Sequence, residues 1–139
     1  MKKWILARLV LTLLLIAMTG LLTAAGPAPT PNVTFTLVSG LPETMRVGDT
    51  ATVVILVASD QPFIFAQALP TEYFPGRGVV GNRGDHEPGG TSTQLEVTFT
   101  AKGSTAKFGG AVPVSVVAGA RYQGGVTMSQ RFDFMVNVP

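Results

Sequence analysis

Cysteine is missing from this 139-residue sequence, and histidine and tryptophan each occur once. Without cysteine the chain can form no disulfide, and it has no thiol nucleophile or thiolate metal ligand. The single histidine, His86, argues against a catalytic zinc site, which would use two or three imidazoles. The sequence also lacks the Gly-x-Ser-x-Gly elbow of serine hydrolases. We therefore predict no enzyme activity, no catalytic residue, no bound metal and no cofactor.

Charged residues are also scarce, since Asp, Glu, Lys and Arg make up 13% of the chain. The formal net charge is +2, but Lys2, Lys3 and Arg8 all lie near the N-terminus. Removing these three from the 10 basic residues leaves seven against 8 acidic ones, a net charge of −1 for the rest of the chain. Nucleic-acid binding would need a clustered basic face on the folded domain, and this charge balance does not predict one.

The N-terminal segment has the three parts of a secretory signal peptide. Two lysines precede an uncharged apolar stretch from Leu9 to Ala25, and small residues at its end favour cleavage after Ala25. This stretch of 17 residues also reaches the lower limit for crossing a bilayer, so residues 1–25 are either a cleaved signal or a retained anchor. A retained N-terminal hydrophobic helix would contact the membrane through residues 5–25. In both cases we expect the rest of the chain to be extracytoplasmic, whether secreted, periplasmic or on the cell surface.

A short proline-rich linker follows the apolar stretch. Residues 26–31 contain three prolines, which favour an extended spacer over a helix or a strand. The remaining residues, 32–139, have the length of one domain with one modest core. The sequence therefore predicts three parts: a signal or anchor, a linker and a single domain.

Apolar and polar residues alternate in short runs along this domain, and a period of two predicts β-strands. The last two runs, Val112–Tyr122 and Val126–Val138, are joined by Gln123-Gly124-Gly125 and predict a hairpin with one buried face. Four earlier strands are predicted at Asn32–Val38, Thr50–Ala58, Phe63–Leu69 and Thr93–Thr100, with a short edge strand at Val79-Val80. The residues expected to face the core include Val33, Phe35, Ile55, Phe63, Phe65, Leu69, Val97, Phe99, Val116 and Phe134.

Six strands, a short seventh strand and no helical periodicity after Ala25 predict an all-β fold, an antiparallel sandwich of about seven strands. The segment Val47–Val57 resembles the second-strand entry of bacterial extracytoplasmic immunoglobulin-like and fibronectin-III-like modules. The terminal hairpin resembles their last two strands. The resemblance implies an Ig-like β-sandwich over residues 32–139. It departs from antibody domains, because the paired cysteines and the buried tryptophan of the third strand are absent.

The stretch from Pro70 to Gly90 breaks the alternation and is rich in glycine and proline, which predicts a long loop. Because this loop combines mixed charge with aromatic side chains outside the predicted strands, we expect it to contact a partner. The alternative is a tolerated surface insertion. The candidate contact residues are Tyr73, Phe74, Arg77, Arg83, Asp85, His86 and Glu87.

Two functions from different classes fit these features. The first is a non-catalytic structural or protein-interaction module of the cell envelope, such as an accessory subunit of a membrane assembly. The alternative is a secreted module that binds a small ligand or a carbohydrate. The first is favoured because a sugar platform needs aromatic side chains, and most of those in this sequence fall on predicted inward faces.

Overall fold

A computed structural model describes residues 26–71, 78–82 and 86–139. The predicted signal, anchor and N-terminal hydrophobic helix of residues 1–25 lie outside the described residues. Residues 26–30 have no regular secondary structure, and one compact unit spans Pro31–Pro139. Across the described ranges, no helix is both long enough and apolar enough to cross a membrane.

The described part of the domain contains eight strands in two sheets. The strands are β1 (Val33–Ser39), β2 (Thr50–Ser59), β3 (Phe65–Thr71), β4 (Val79–Gly81), β5 (His86–Pro88), β6 (Ser92–Ala101), β7 (Val112–Arg121) and β8 (Thr127–Val136). The first sheet has the order β1-β2-β6-β4, and the second sheet has the order β5-β3-β7-β8. All strand pairings within the two sheets are antiparallel. The all-β antiparallel architecture predicted from the sequence is confirmed.

The hairpin of β7 and β8 lies where the alternation predicted it. A short turn at Gln123–Gly125 joins the strands, with Gly124 and Gly125 at φ 81° and 83°, where a side chain would be strained. The inward side chains of β7 are at most 3% exposed. Those of β8 are less protected, because β8 is an edge strand: Val136 is buried, but Phe134 is only half-buried. Phe134 nevertheless packs against the core, on the face predicted from the sequence.

The core forms between β2 and β6 of the first sheet and β3 and β7 of the second. Six of the predicted inward residues of β2 and β6 are at most 1% exposed: Val53, Ile55, Val57, Leu95, Val97 and Phe99. Ala51, predicted on the same face of β2, is partly buried. Each of the six fully buried side chains contributes about 1.5 to 3 kcal/mol through burial. In the absence of disulfides, this apolar contact holds the two sheets together.

Strand β3 faces the core with the opposite side from the one predicted. Ala66 and Ala68 are fully buried, whereas Leu69 is 39% exposed and Phe65 is half-buried on the outer face. Some Cα atoms of β3 and β6 lie within 8 Å of each other, closer than the usual spacing of about 10 Å between packed sheets. Small alanine side chains permit this approach. Phe63 precedes the strand and is buried, as predicted.

The stretch predicted as a long loop contains two short strands. The first, β4, is the edge strand predicted at Val79-Val80, and it pairs with β6. The second, β5, was not predicted, and it pairs with β3 so that His86 lies opposite Gln67. At the end of β4, a Cβ added to Gly81 would lie 2.6 Å from the Phe99 ring, so only glycine fits there.

A segment after β1 crosses from the first sheet to the second. Thr44 forms a parallel bridge with Asn137, just beyond β8. Met45 donates its backbone N–H to the Asn137 carbonyl at 2.9 Å, and Asn137 donates its own to the Glu43 carbonyl at 2.8 Å. Residues 43–45 therefore cover the edge of the second sheet only at this end.

Thr105, in the turn between β6 and β7, holds Val138 in place through hydrogen bonds. The Thr105 hydroxyl is fully buried, accepts the Val138 backbone N–H at 2.8 Å and donates to the Val138 carbonyl at 3.2 Å. The Thr105 backbone N–H donates to the same carbonyl at 2.8 Å. One threonine thus satisfies both buried backbone groups of Val138.

Candidate interaction surface

The candidate loop residues fall mostly outside the described part of the chain. Tyr73, Phe74, Arg77, Arg83 and Asp85 are in this group. For His86 and Glu87 the backbone is described, and both belong to β5 at the edge of the second sheet. Whether this loop contacts a partner stays a prediction.

The outer surface of the first sheet is almost free of charge. Its four strands, residues 33–39, 50–59, 79–81 and 92–101, contain one ionisable side chain, Glu96. The outward positions of the two central strands carry hydroxyl, amide and aliphatic groups. We call these outward side chains of β2 and β6 the neutral face: Thr52, Val54, Leu56, Gln94, Glu96 and Thr98.

Polar groups on the neutral face bond to one another. Thr52 and Thr98 lie opposite each other, and their hydroxyl oxygens are 3.0 Å apart. Gln94 donates its amide to the Glu96 carboxylate at 3.0 Å. Leu56, 38% exposed, lies beside them. The face therefore presents aliphatic groups among polar groups that are already hydrogen-bonded.

A shallow groove lies on the outer face of the second sheet, across β3, β7 and β8. Its volume is about 290 Å³. Phe65, Leu69 and Val117 supply apolar walls, and Gly119 leaves the space between the strands open. The polar side chains around it are Gln67, Arg121, Thr127 and Ser129. This size is at the lower end for small-molecule sites.

Three polar side chains form a cluster on the same face, further along β7 and β8. Asp133 accepts hydrogen bonds from Ser115 at 2.6 Å and from Arg131 Nε at 2.7 Å. Arg131 also donates through Nη2 to the Ser115 hydroxyl at 2.9 Å. The Ser115 hydrogen bond and then the Arg131 guanidinium lower the pKa of Asp133 below its ordinary value. The cluster therefore holds a carboxylate and a guanidinium side by side on an edge strand.

No group of three or more His, Cys, Asp and Glu side chains is placed to hold a metal ion within residues 26–71, 78–82 and 86–139. The polar cluster contains a guanidinium, a carboxylate and a hydroxyl, which suits ion pairing and hydrogen bonding. Together with the neutral face and the groove, it gives the described domain features suited to binding.

Sequence reasoning missed both the neutral face and the groove. The neutral face left a signal in the sequence, because Thr50–Ser59 and Ser92–Ala101 contain a single charge between them. The groove left none, since it depends on Phe65 and Leu69 facing outward, which follows from sheet packing.

A scan against protein-family models finds no match to this chain, and a search of curated proteins finds no similar sequence. Function is therefore inferred from the surfaces of the domain itself.

Proposed function

We propose that this chain is a non-catalytic protein-interaction module of the cell envelope that binds a protein partner through its neutral face. The observation that carries the proposal is the presence of one ionisable residue, Glu96, in four strands whose outer side meets solvent. Solvent-facing surfaces normally mix charges of both signs. The buried centres of protein interfaces are depleted in charge.

Burial of this face against a partner would be energetically inexpensive. Moving a charged group out of water costs several kcal/mol of desolvation free energy, and Glu96 is the only charged residue of the neutral face. The Thr52 and Thr98 hydroxyls keep their mutual hydrogen bond when water is removed. Leu56 and Val54 add apolar area, which favours association.

We further propose that the sandwich is of the immunoglobulin-like type. In constant-type immunoglobulin domains the first, second, fifth and fourth strands form one sheet, and the third, sixth and seventh form the other. The order β1-β2-β6-β4 opposite β3-β7-β8 agrees with this arrangement when β5 is counted as an addition beside β3. The topology supports the resemblance seen in the sequence of Val47–Val57.

The envelope location is proposed from the N-terminal sequence. Lys2 and Lys3 before the apolar stretch Leu9–Ala25 predict export. Mass spectrometry of the mature N-terminus tests this: Gly26 as the first residue indicates secretion, and Met1 or Lys2 in the membrane fraction indicates an anchor. An inactive alkaline phosphatase fusion at residue 139 would refute export.

The interaction role is tested by placing a charge on each sheet. Leu56→Lys puts an ammonium group on the neutral face, and Leu69→Lys puts one on the outer face of the second sheet, where the leucines are 38% and 39% exposed. Both variants should melt like the wild type. Only Leu56→Lys should lose the envelope protein that crosslinks to the wild-type chain in cells.

Retention of that partner by Leu56→Lys would contradict the proposal. Loss of the partner with Leu69→Lys alone would move the contact to the second sheet. Changing both Tyr73 and Phe74 to Ala in the same assay tests the predicted loop as a further contact.

The groove supports one alternative, a small-ligand or carbohydrate-binding module. Phe65 and Leu69 offer an apolar surface on which a sugar ring could lie, beside the polar side chains of Gln67 and Ser129. A glycan array with the exported chain tests it. Glycan binding that disappears in Phe65→Ala but persists in Leu56→Lys would favour this alternative over the interaction module.

A further inference from the structure

The outer edge of β8 is the longest open edge of the second sheet. This strand has ten residues, pairs with β7 along its whole length without a register shift, and contains no proline. In the described part of the chain no strand lies on its other side between Thr127 and Val136. The described segment around Thr44 pairs with the sheet at Asn137, beyond the end of β8, and Gly40 and Leu41 before it lie next to Phe134.

The other edges of the two sheets are protected. Strands β4 and β5 have three residues each, too few for a stable added strand. Strand β1 has a register shift between Leu37 and Ser39, and such a bulge bends an edge away from a regular partner. Strand β8 is neither short nor interrupted by a bulge, so its edge lacks both of these protections.

The hydrogen-bonding pattern shows which residues of β8 direct their backbone N–H and C=O groups towards the open edge. Tyr122 donates to the Val126 carbonyl next to the turn, so the even-numbered residues of β8 exchange hydrogen bonds with β7. The odd-numbered residues then direct their N–H and C=O groups away from β7. Asn137 agrees with this, since both of its backbone groups bond to the crossing segment.

We propose that residues 129–135 of β8 pair antiparallel with the same residues of a second copy of this chain, on a two-fold axis at Phe132. The pairing ends before Asn137, whose backbone groups already bond to the crossing segment. The two second sheets then join into one eight-stranded sheet. This extends the proposed interaction role by naming one partner, and either inference can fail without the other.

Charge complementarity selects this register. With the axis at Phe132, Arg131 of each copy lies opposite Asp133 of the other. Both residues direct their backbone groups towards the open edge, so the two can exchange backbone hydrogen bonds. An axis at Arg131 or at Asp133 would place like charges directly opposite each other, which is destabilising. An axis between two residues would place odd-numbered residues opposite even-numbered ones. The backbone groups of the even-numbered residues are already bonded to β7, so no regular ladder could form.

Partial burial of β8 gives the pairing an apolar contribution. Phe132 and Phe134 are half-buried and face the side of the sheet that covers the core. A second β8 beside them would cover more of both rings. Because the interface is a single strand pair, we expect a weak dimer in the class of small interfaces.

The absence of cysteine makes a direct test possible in the full-length chain. At the axis, a non-hydrogen-bonded pair brings the two Phe132 Cα atoms within about 5 Å, which suits a disulfide. Phe132→Cys should therefore form a covalent dimer under mild oxidation. Arg131→Cys and Gln130→Cys should not, because their counterparts in the second copy lie beyond about 7 Å.

The register has a second test that does not depend on a disulfide. Asp133→Arg leaves two positive charges on the edge, and Arg131→Asp leaves two negative charges. Each variant alone should be monomeric by sedimentation at concentrations where the wild type dimerises. An equimolar mixture should form a mixed dimer, since every opposite pair then joins unlike charges.

Several outcomes would overturn the inference. The first is a wild type that stays monomeric up to about 0.5 mM, well into the range of weak interfaces. The second is crosslinking of Gln130→Cys as efficient as that of Phe132→Cys. The third is dimerisation of the charge variants to the same extent as the wild type. If the dimer forms but is abolished by Leu56→Lys, the neutral face is the contact between copies and the β8 edge is not. If Leu56→Lys loses the crosslinked envelope protein but still dimerises, this inference stands.

Discussion

Replacement of Thr105 by valine tests the idea that one hydroxyl holds Val138 against the domain. Valine keeps the shape of the side chain and removes the oxygen. The buried Val138 N–H then loses its acceptor at 2.8 Å, while the Val138 carbonyl keeps the backbone N–H of residue 105. A buried donor left without a partner costs about 1 to 3 kcal/mol, so we expect the free energy of unfolding to fall by about 2 kcal/mol.

Thermal unfolding gives a clear readout for a domain of this size. A loss of about 2 kcal/mol should lower Tm by about 9 °C. Thr105→Ser is the matched control, because it keeps the hydroxyl and removes one methyl group, at about 0.8 kcal/mol. If Thr105→Val melts within a degree of the wild type, or if Thr105→Ser is the less stable variant, the hydroxyl does not fasten Val138.

Two further predictions concern the core and the polar cluster. Phe99→Ala should cost about 3 to 5 kcal/mol because the ring is fully buried, and Phe134→Ala clearly less, since that ring is half-buried; equal losses in urea titrations would refute the assigned burial. Because the pKa of Asp133 is lowered in the folded state, its carboxylate stabilises the fold above its ordinary pKa of about 3.9 and this contribution disappears as the pH falls through the lower folded value. Asp133→Asn should therefore be less stable than the wild type at pH 7 and lose less stability on acidification; parallel pH profiles would contradict this.

The elements that could be predicted from the sequence are those whose two faces differ clearly. Strand β6 alternates Leu95, Val97 and Phe99 with polar residues, and the buried face follows directly. The same holds for β7. Both strands are central in their sheets, so that local pattern and final burial agree.

The misassigned face of β3 shows where a local pattern fails. Both sides of this strand are apolar, with Phe65 and Leu69 on one and Ala66 and Ala68 on the other. The larger side chains predict burial, but the separation of the sheets leaves room only for alanine. That separation depends on the facing strand and is not encoded in β3 itself.

Strand β5 was missed for a related reason. His86–Pro88 has three residues, one of them a proline, and carries no alternation of its own. Its pairing depends on the open edge of β3, next to Gln67. The candidate loop residues around Tyr73 lie outside the described part of the chain, so their predicted role stays a prediction.

The neutral face also has a consequence for the kinetics of binding. Charged surfaces accelerate encounter because their long-range field orients the partner before contact. A face whose one carboxylate is bonded to Gln94 provides little such field. Association through it should proceed at the unsteered rate of about 10⁵ to 10⁶ M⁻¹s⁻¹, and this rate should change little between low and high salt. A partner confined to the same compartment as this chain would compensate for slow encounter through its local concentration.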